Sequence, residues 1–321
     1  MKNTYPAEKD FGDIFVLTFK IFFKDFWKNI AFGSSLVFIG IVFALPYMSI
    51  LILTSDPSGY PFFDTSAISI IGLTLTYLLF YAATFVVVPS LLNGYFGPKT
   101  IDYLEGKQRE KGVHGKVMFR SFGKTCGAQT ALMLVYFAFA VVITVVMVDR
   151  MSGFNFLTED AFFDELWSMM GIILVLYLIC LVILVLGAFT KQAALFEDKR
   201  WFRALGRSIK IIVSGNFWTA VGYYIVFGLV VTTAANFILG FAIFFIFILA
   251  ILETVTAGVV GAVLIVLIIL IGTVVLTAIY AAIYGLFNVF TTLLYFNSRT
   301  RCEGTPFPSP APKEEAMPVQ E

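Results

Sequence analysis

The chain has 321 residues, 59% of them hydrophobic and only 13% charged, with a mean hydropathy of +0.90. Such a composition lies outside the range of soluble domains and excludes a water-soluble enzyme or nucleic-acid-binding module. The formal net charge of +1 conceals a strong segregation of basic from acidic residues along the chain.

Apolar runs that reach the roughly 20 residues needed to cross a bilayer follow a basic, aromatic N-terminal segment. The first extends from about Ala31 to Thr54 and the second from about Ser66 to Leu92. The third covers Gln129 to Val148 and the fourth Trp167 to Thr190. Between Phe217 and Phe296 the one charged side chain is Glu253, so this stretch crosses at least twice. A fifth span reaches from Phe217 to about Leu239. A sixth occupies about Ala257 to Leu286 and continues as helix toward Phe296. Gly240 to Ile251 is open to three readings: an outer-surface segment, a re-entrant one, or part of an extra hairpin. Six spans are expected, in an all-α polytopic transmembrane helical bundle over residues 1–304. The Pro- and Glu-rich tail, residues 305–321, reads as disordered. No cleavable signal peptide precedes the first span, which is expected to act as its own anchor.

With these spans, every one of the 22 Lys and Arg except Arg150 falls on one side. The alternate loops hold Asp56, Asp64, Asp149, Glu159, Asp160, Asp164, Glu165 and Glu253. The positive-inside rule then puts both termini in the cytoplasm of a multi-pass cell-membrane protein.

The segment from Thr18 to Trp27 resembles that from Ser208 to Trp218, and each precedes a pair of spans. The pattern suggests three units, about 11–105, 114–199 and 202–304, each a short interfacial helix followed by a membrane hairpin. Lys20, Lys24 and Lys28 lie at i, i+4 and i+8, as do Lys116, Arg120 and Lys124. Arg203, Arg207 and Lys210 lie at i, i+4 and i+7. On a helix each trio forms one stripe. The opposite faces carry Phe15, Phe19, Phe22, Phe23 and Phe26 in the first unit and Leu205, Ile209, Ile212 and Val213 in the third. Helices so divided belong at a membrane surface, and these nine cations are the candidates for contacting anionic lipid headgroups. They also serve to set topology, which needs no specific lipid.

The segment Ala194-Leu-Phe-Glu197, followed by Arg203-Ala-Leu-Gly-Arg-Ser208 and Asn216-Phe-Trp218, resembles a motif of the glycerophosphoryl diester phosphodiesterase membrane-domain family. The exit from the last span, Leu293 to Gly304, is similar to that family's closing pattern, with Asn297 where the family carries Asp. The resemblance covers about the last 130 residues well. It implies a multi-span membrane protein, in some members fused to a catalytic phosphodiesterase domain. That catalytic domain is absent from this sequence.

The sequence has no nucleophile elbow, P-loop, His-Glu-x-x-His pair or cysteine cluster. Cys126, Cys180 and Cys302 have neither disulfide nor metal-ligand spacing, and the lone histidine, His114, reads as an ordinary solvated residue. No catalytic, cofactor-binding or metal-binding residue is therefore expected. The leading expectation is a non-catalytic scaffold or accessory subunit contacting membrane lipids and a protein partner at the cytoplasmic face. Its interaction candidates are Glu105, Glu197, Arg299, Arg301 and Glu303, which follow the second, fourth and sixth spans. A lipid or small-molecule permease is the first alternative, although its spans lack the buried charges that ion coupling needs. A membrane-embedded lipid-acting enzyme is the second, and a grouping of Glu105, His114 and Glu197 around a metal would favour it.

Overall fold

The computed structural model describes residues 9–38, 82–107, 113–152, 159–214, 217–255 and 259–308. Most of the first expected span, from residue 39 on, and most of the second fall within 39–81, outside the described residues, and the tail from 309 onward lies outside them too. The described residues are helical, with no strand among them, and form an all-α membrane bundle.

Helix α1 (Phe11–Lys24) starts where the Asp10 carboxylate accepts the Asp13 backbone N–H at 2.8 Å, satisfying an otherwise orphan donor. It breaks at Asp25 and resumes as helix over residues 26–38. The break frees the Phe22 carbonyl, and the Asn29 side-chain amide donates to it at 2.6 Å. Helix α2 (Val88–Leu104) follows a single π-helical turn at Ala83–Val87. Pro89 has no N–H to offer the Phe85 carbonyl four residues back. Gln129, from the next helix, donates its side-chain N–H to that oxygen at 2.9 Å. Irregular backbone at membrane depth persists where protein groups satisfy it in this way.

Helix α3 (Val113–Ser152) and α4 (Glu159–Gly187) are followed by the short α5 (Thr190–Phe196) and by α6 (Trp201–Ser214). Two long helices, α7 (Phe217–Val255) and α8 (Val259–Glu303), complete the chain. Residues 240–255 thus continue α7 and do not form a hairpin of their own. The middle unit also differs from its expected plan. Lys116, Arg120 and Lys124 lie in the first turns of α3 itself, which runs unbroken into the membrane segment. No proline or polar cluster between Lys124 and Gln129 stops it.

Among the described residues, four stretches are long and apolar enough to cross a membrane: Val113–Ile143, Met170–Phe196, Phe217–Gly240 and Ile271–Glu303. Many of their large side chains, such as Phe137, Leu174, Leu178, Leu229 and Phe237, face outward. A surface this apolar is stable in lipid and not in water. Helix α8 packs against α1, α2 and α7, whereas α3 packs against α2, α5 and α6. Close approach at the first of these junctions depends on Gly285. A methyl group there would meet the buried Phe22 ring at 2.5 Å and Phe96 at 3.0 Å.

Candidate functional site

The charged residues gather at the end of the bundle where α5, α6 and the last turns of α8 meet. The chain between α4 and α5 bends at Ala188–Phe189 and loses regular helical bonding there. The buried Ser208 hydroxyl repairs the bend, donating to the Leu186 carbonyl at 2.7 Å and accepting the Phe189 N–H at 3.0 Å. This fixes α6 against α5 and brings Arg207, one residue earlier, to the α5 C-terminus.

Glu197 caps α5 through its own N–H, bonded to the Ala193 carbonyl at 3.1 Å. Its carboxylate receives the Arg207 guanidinium in a fork, Nε to Oε2 at 2.6 Å and Nη2 to Oε1 at 3.0 Å. The Tyr295 hydroxyl from α8 donates to Oε1 at 2.5 Å, and Arg299 Nε lies 3.5 Å from the same oxygen. Glu303 completes the set, pairing with Arg299 at 3.2 Å and contacting Arg207 Nη2. Tyr295 is fully buried, stacked on Phe196 and edge-on to Phe189, so the apolar core positions the acid's third donor. Burial alone would raise the Glu197 pKa. The hydrogen bonds from Arg207 and Tyr295, with the charges of Arg207 and Arg299, outweigh it and hold the carboxyl below the usual range. The Glu197 carboxylate in turn raises Arg207 above its ordinary value.

Of the five interaction candidates, Glu197, Arg299 and Glu303 therefore come together, joined by Arg207 from the cationic stripes and by Tyr295. Glu105 pairs separately with Lys107 at 2.6 Å, and Arg301 is half-buried in the last turn of α8. Asn297 is buried. It exchanges two hydrogen bonds with the Lys9 backbone, accepting its N–H at 2.9 Å and donating to its carbonyl at 3.0 Å. An amide satisfies both partners of a peptide group, which a carboxylate cannot do.

A second junction joins α1 to α2. Lys99 donates to Asp25 at 2.9 Å and to Asn29 at 2.8 Å, so the residue that patches the α1 break is itself held. Desolvation lowers the Lys99 pKa, and its hydrogen bond to Asp25 partly restores it. The same hydrogen bond is the main reason the Asp25 carboxyl lies below its ordinary value. His114 is not simply solvated: its Nε2 lies 3.0 Å from Oδ2 of the buried Asp102. Glu105, His114 and Glu197 thus have three different partners. Among the described residues no three His, Cys, Asp or Glu are grouped to hold a metal.

Of the other cationic candidates, Lys20, Lys24, Lys28, Lys116, Arg120, Arg203 and Lys210 are exposed. Lys24 lies over the Tyr103 ring at 4.8 Å, and Lys124 pairs with Asp198 at 2.7 Å. Deeper between the helices, Gln192 donates to Asn93 at 3.1 Å, both fully buried. The Asn93 amide nitrogen and Gln192 carbonyl oxygen have no hydrogen-bond partner. The sequence marks Asn93 as a polar residue near a membrane boundary, but reveals neither its pairing with Gln192 nor the junction made by Lys99. Each depends on a partner some 70 to 99 positions away, and no local spacing carries that information.

Comparison with protein-family models, with curated proteins and with solved structures finds no match to this chain.

Proposed function

We propose that the protein is a non-catalytic scaffold or accessory subunit of the cell membrane. It has about six spans, both termini are cytoplasmic, and its charged end faces the cytoplasm as a platform for a protein partner. The observation that carries this reading is the Glu197–Arg207–Tyr295–Arg299–Glu303 network. Its groups are spent on one another, which ties three helices into a fixed surface. A reactive site would instead turn such groups toward a cavity. Around the platform the exposed Lys20, Lys24, Lys28, Lys116, Arg203 and Lys210 form a basic collar suited to anionic lipid, worth ~1 kcal/mol per cation near the surface. The internal repeat and the relation to the phosphodiesterase membrane-domain family belong to the same proposal. Their support is that the quoted segments around Glu197, Arg207 and Tyr295 meet in space.

The test is gentle purification from native membranes, with mass spectrometry of every protein and lipid retained. A stoichiometric protein partner is expected. Retention of a lipid or small molecule with no protein would overturn the reading in favour of a permease. That second reading has one observation in its favour: the buried Asn93–Gln192 amides, whose remaining polar atoms find no protein partner. Solute uptake abolished by Asn93→Leu would support it.

A further inference from the structure

We propose that the groove between α3 and the start of α6 binds the phosphate of an anionic phospholipid. The proposal rests on the orientation given above and deepens it by naming one site within the collar. The groove encloses about 360 Å³ and is lined by Arg120, Gly123, Lys124, Gly127, Arg200 and Trp201. Asp198 neutralises Lys124 at 2.7 Å. Among the described residues neither Arg120 nor Arg200 forms a direct ion pair, although the charge of Arg200 is felt by Asp198, and both residues are exposed. Two guanidinium forks lining one groove, neither held in an ion pair, are the side chains best shaped for a phosphate diester.

The backbone is arranged around the same spot. Gly123 and Gly127 lie one turn apart on α3, which opens its surface to the groove. A methyl group at Gly123 would meet nothing within 4 Å, and one at Gly127 would touch the Trp201 indole at 3.3 Å. The indole rests on α3 because Trp201 adopts a left-handed backbone, φ 49°, and Asp198 does the same at φ 55°. Non-glycine residues seldom hold this conformation, and it concentrates at ligand clamps. Trp201 is 52% exposed, Phe202 56% and Phe119 71%. Exposed aromatics beside cations suit the headgroup layer, where the ring lies against glycerol and acyl carbons. A soluble phosphate would use the guanidinium groups and leave the rings unexplained. The comparable cleft near Lys99 and His114, of about 340 Å³, fits an anion less well because Asp25 already pairs with Lys99 and the Asp102 carboxylate faces His114.

The test uses the purified full chain in phosphatidylcholine nanodiscs containing a minor fraction of phosphatidylglycerol, with retained lipid counted by native mass spectrometry. Apart from their belt protein these discs hold no other protein, so the result is independent of whether a native partner exists. The wild type is expected to retain phosphatidylglycerol selectively. An Arg120→Gln, Arg200→Gln double variant should lower retention by roughly ten-fold or more, as loss of two charge-assisted contacts implies. Gly123→Leu, which fills the groove without altering charge, should do the same with thermal stability unchanged. Lys20→Gln, a cation elsewhere in the collar, should leave retention unaltered. Equal retention in the wild type and both groove variants would overturn the site. So would equal losses in Lys20→Gln, which would leave only a diffuse collar. Displacement of the lipid by millimolar inorganic phosphate would reassign the groove to a soluble phosphate.

Discussion

Arg207 holds Glu197 with both arms of its guanidinium, at 2.6 and 3.0 Å, across the gap between the end of α5 and the middle of α6. Neither side chain is more than 16% exposed, so the pair is shielded from the solvent screening that makes surface ion pairs weak. Removing one partner leaves the other largely buried charge with only its outer contact, Glu303 for Arg207 or Arg299 for Glu197, to offset it. Glu197→Gln should therefore destabilise the protein by about 2–3 kcal/mol, and Arg207→Lys, which keeps the charge but loses the fork, by about 1–2 kcal/mol. A double-mutant cycle read by unfolding in detergent should give a clear coupling energy. Strict additivity would show that the two side chains act independently.

Stability should fall on the acid side. Glu197 and Asp25 both have folded pKa values below their ordinary ones. A depressed carboxylate contributes stability that is fully present above its unfolded pKa, near 4, and lost as pH falls through the folded value. Melting temperature should thus hold between pH 7 and about 5 and drop below about 4. The combined Glu197→Gln, Asp25→Asn variant should begin lower and show a flatter acid limb. An acid limb of unchanged steepness in that variant would place the titrating groups elsewhere.

Asn297→Asp should release the N-terminal segment. The carboxylate would retain an acceptor for the Lys9 N–H but face the Lys9 carbonyl with no proton to give, at a cost of about 1–3 kcal/mol. Hydrogen exchange at Lys9 and the first turn of α1 should accelerate while the centre of α8 stays protected. Unaltered exchange at Lys9 would mean that the amide pairing does not anchor this end.

Gln129→Leu removes the side-chain donor to the Phe85 carbonyl, to which Pro89 has no N–H to offer. At membrane depth no water replaces the lost donor, and a loss of about 1–3 kcal/mol follows. A Pro89→Ala change in the same background should recover part of it, because the restored N–H can bond Phe85. Failure of the second change to rescue the first would separate the two effects.

Much of this architecture can be read from the sequence because the bilayer imposes simple demands. An apolar run long enough to cross the membrane forms a helix, and α3, α4, α7 and α8 contain the expected runs. What spacing cannot reveal is partnership. The i, i+4, i+7 pattern puts Arg203, Arg207 and Lys210 on one stripe, yet Arg207 turns to Glu197 because Ser208 docks α6 on the α4–α5 bend. The same holds for Lys99, whose partners Asp25 and Asn29 sit on a different helix. In sequence the 240–251 stretch is open to several readings because a continuous apolar run carries no stop signal. Without a glycine–proline or polar break, α7 simply continues to Val255.

The claim on which the scaffold, the collar and the lipid groove all rest is that the charged end faces the cytoplasm. Single cysteines at Lys210 and at Asn155, in a background with Cys126, Cys180 and Cys302 replaced by serine, test it directly with a membrane-impermeant maleimide. The account predicts labelling of Asn155→Cys in intact cells and of Lys210→Cys only after the membrane is opened. Labelling of Lys210→Cys in intact cells, with Asn155→Cys protected, would contradict it.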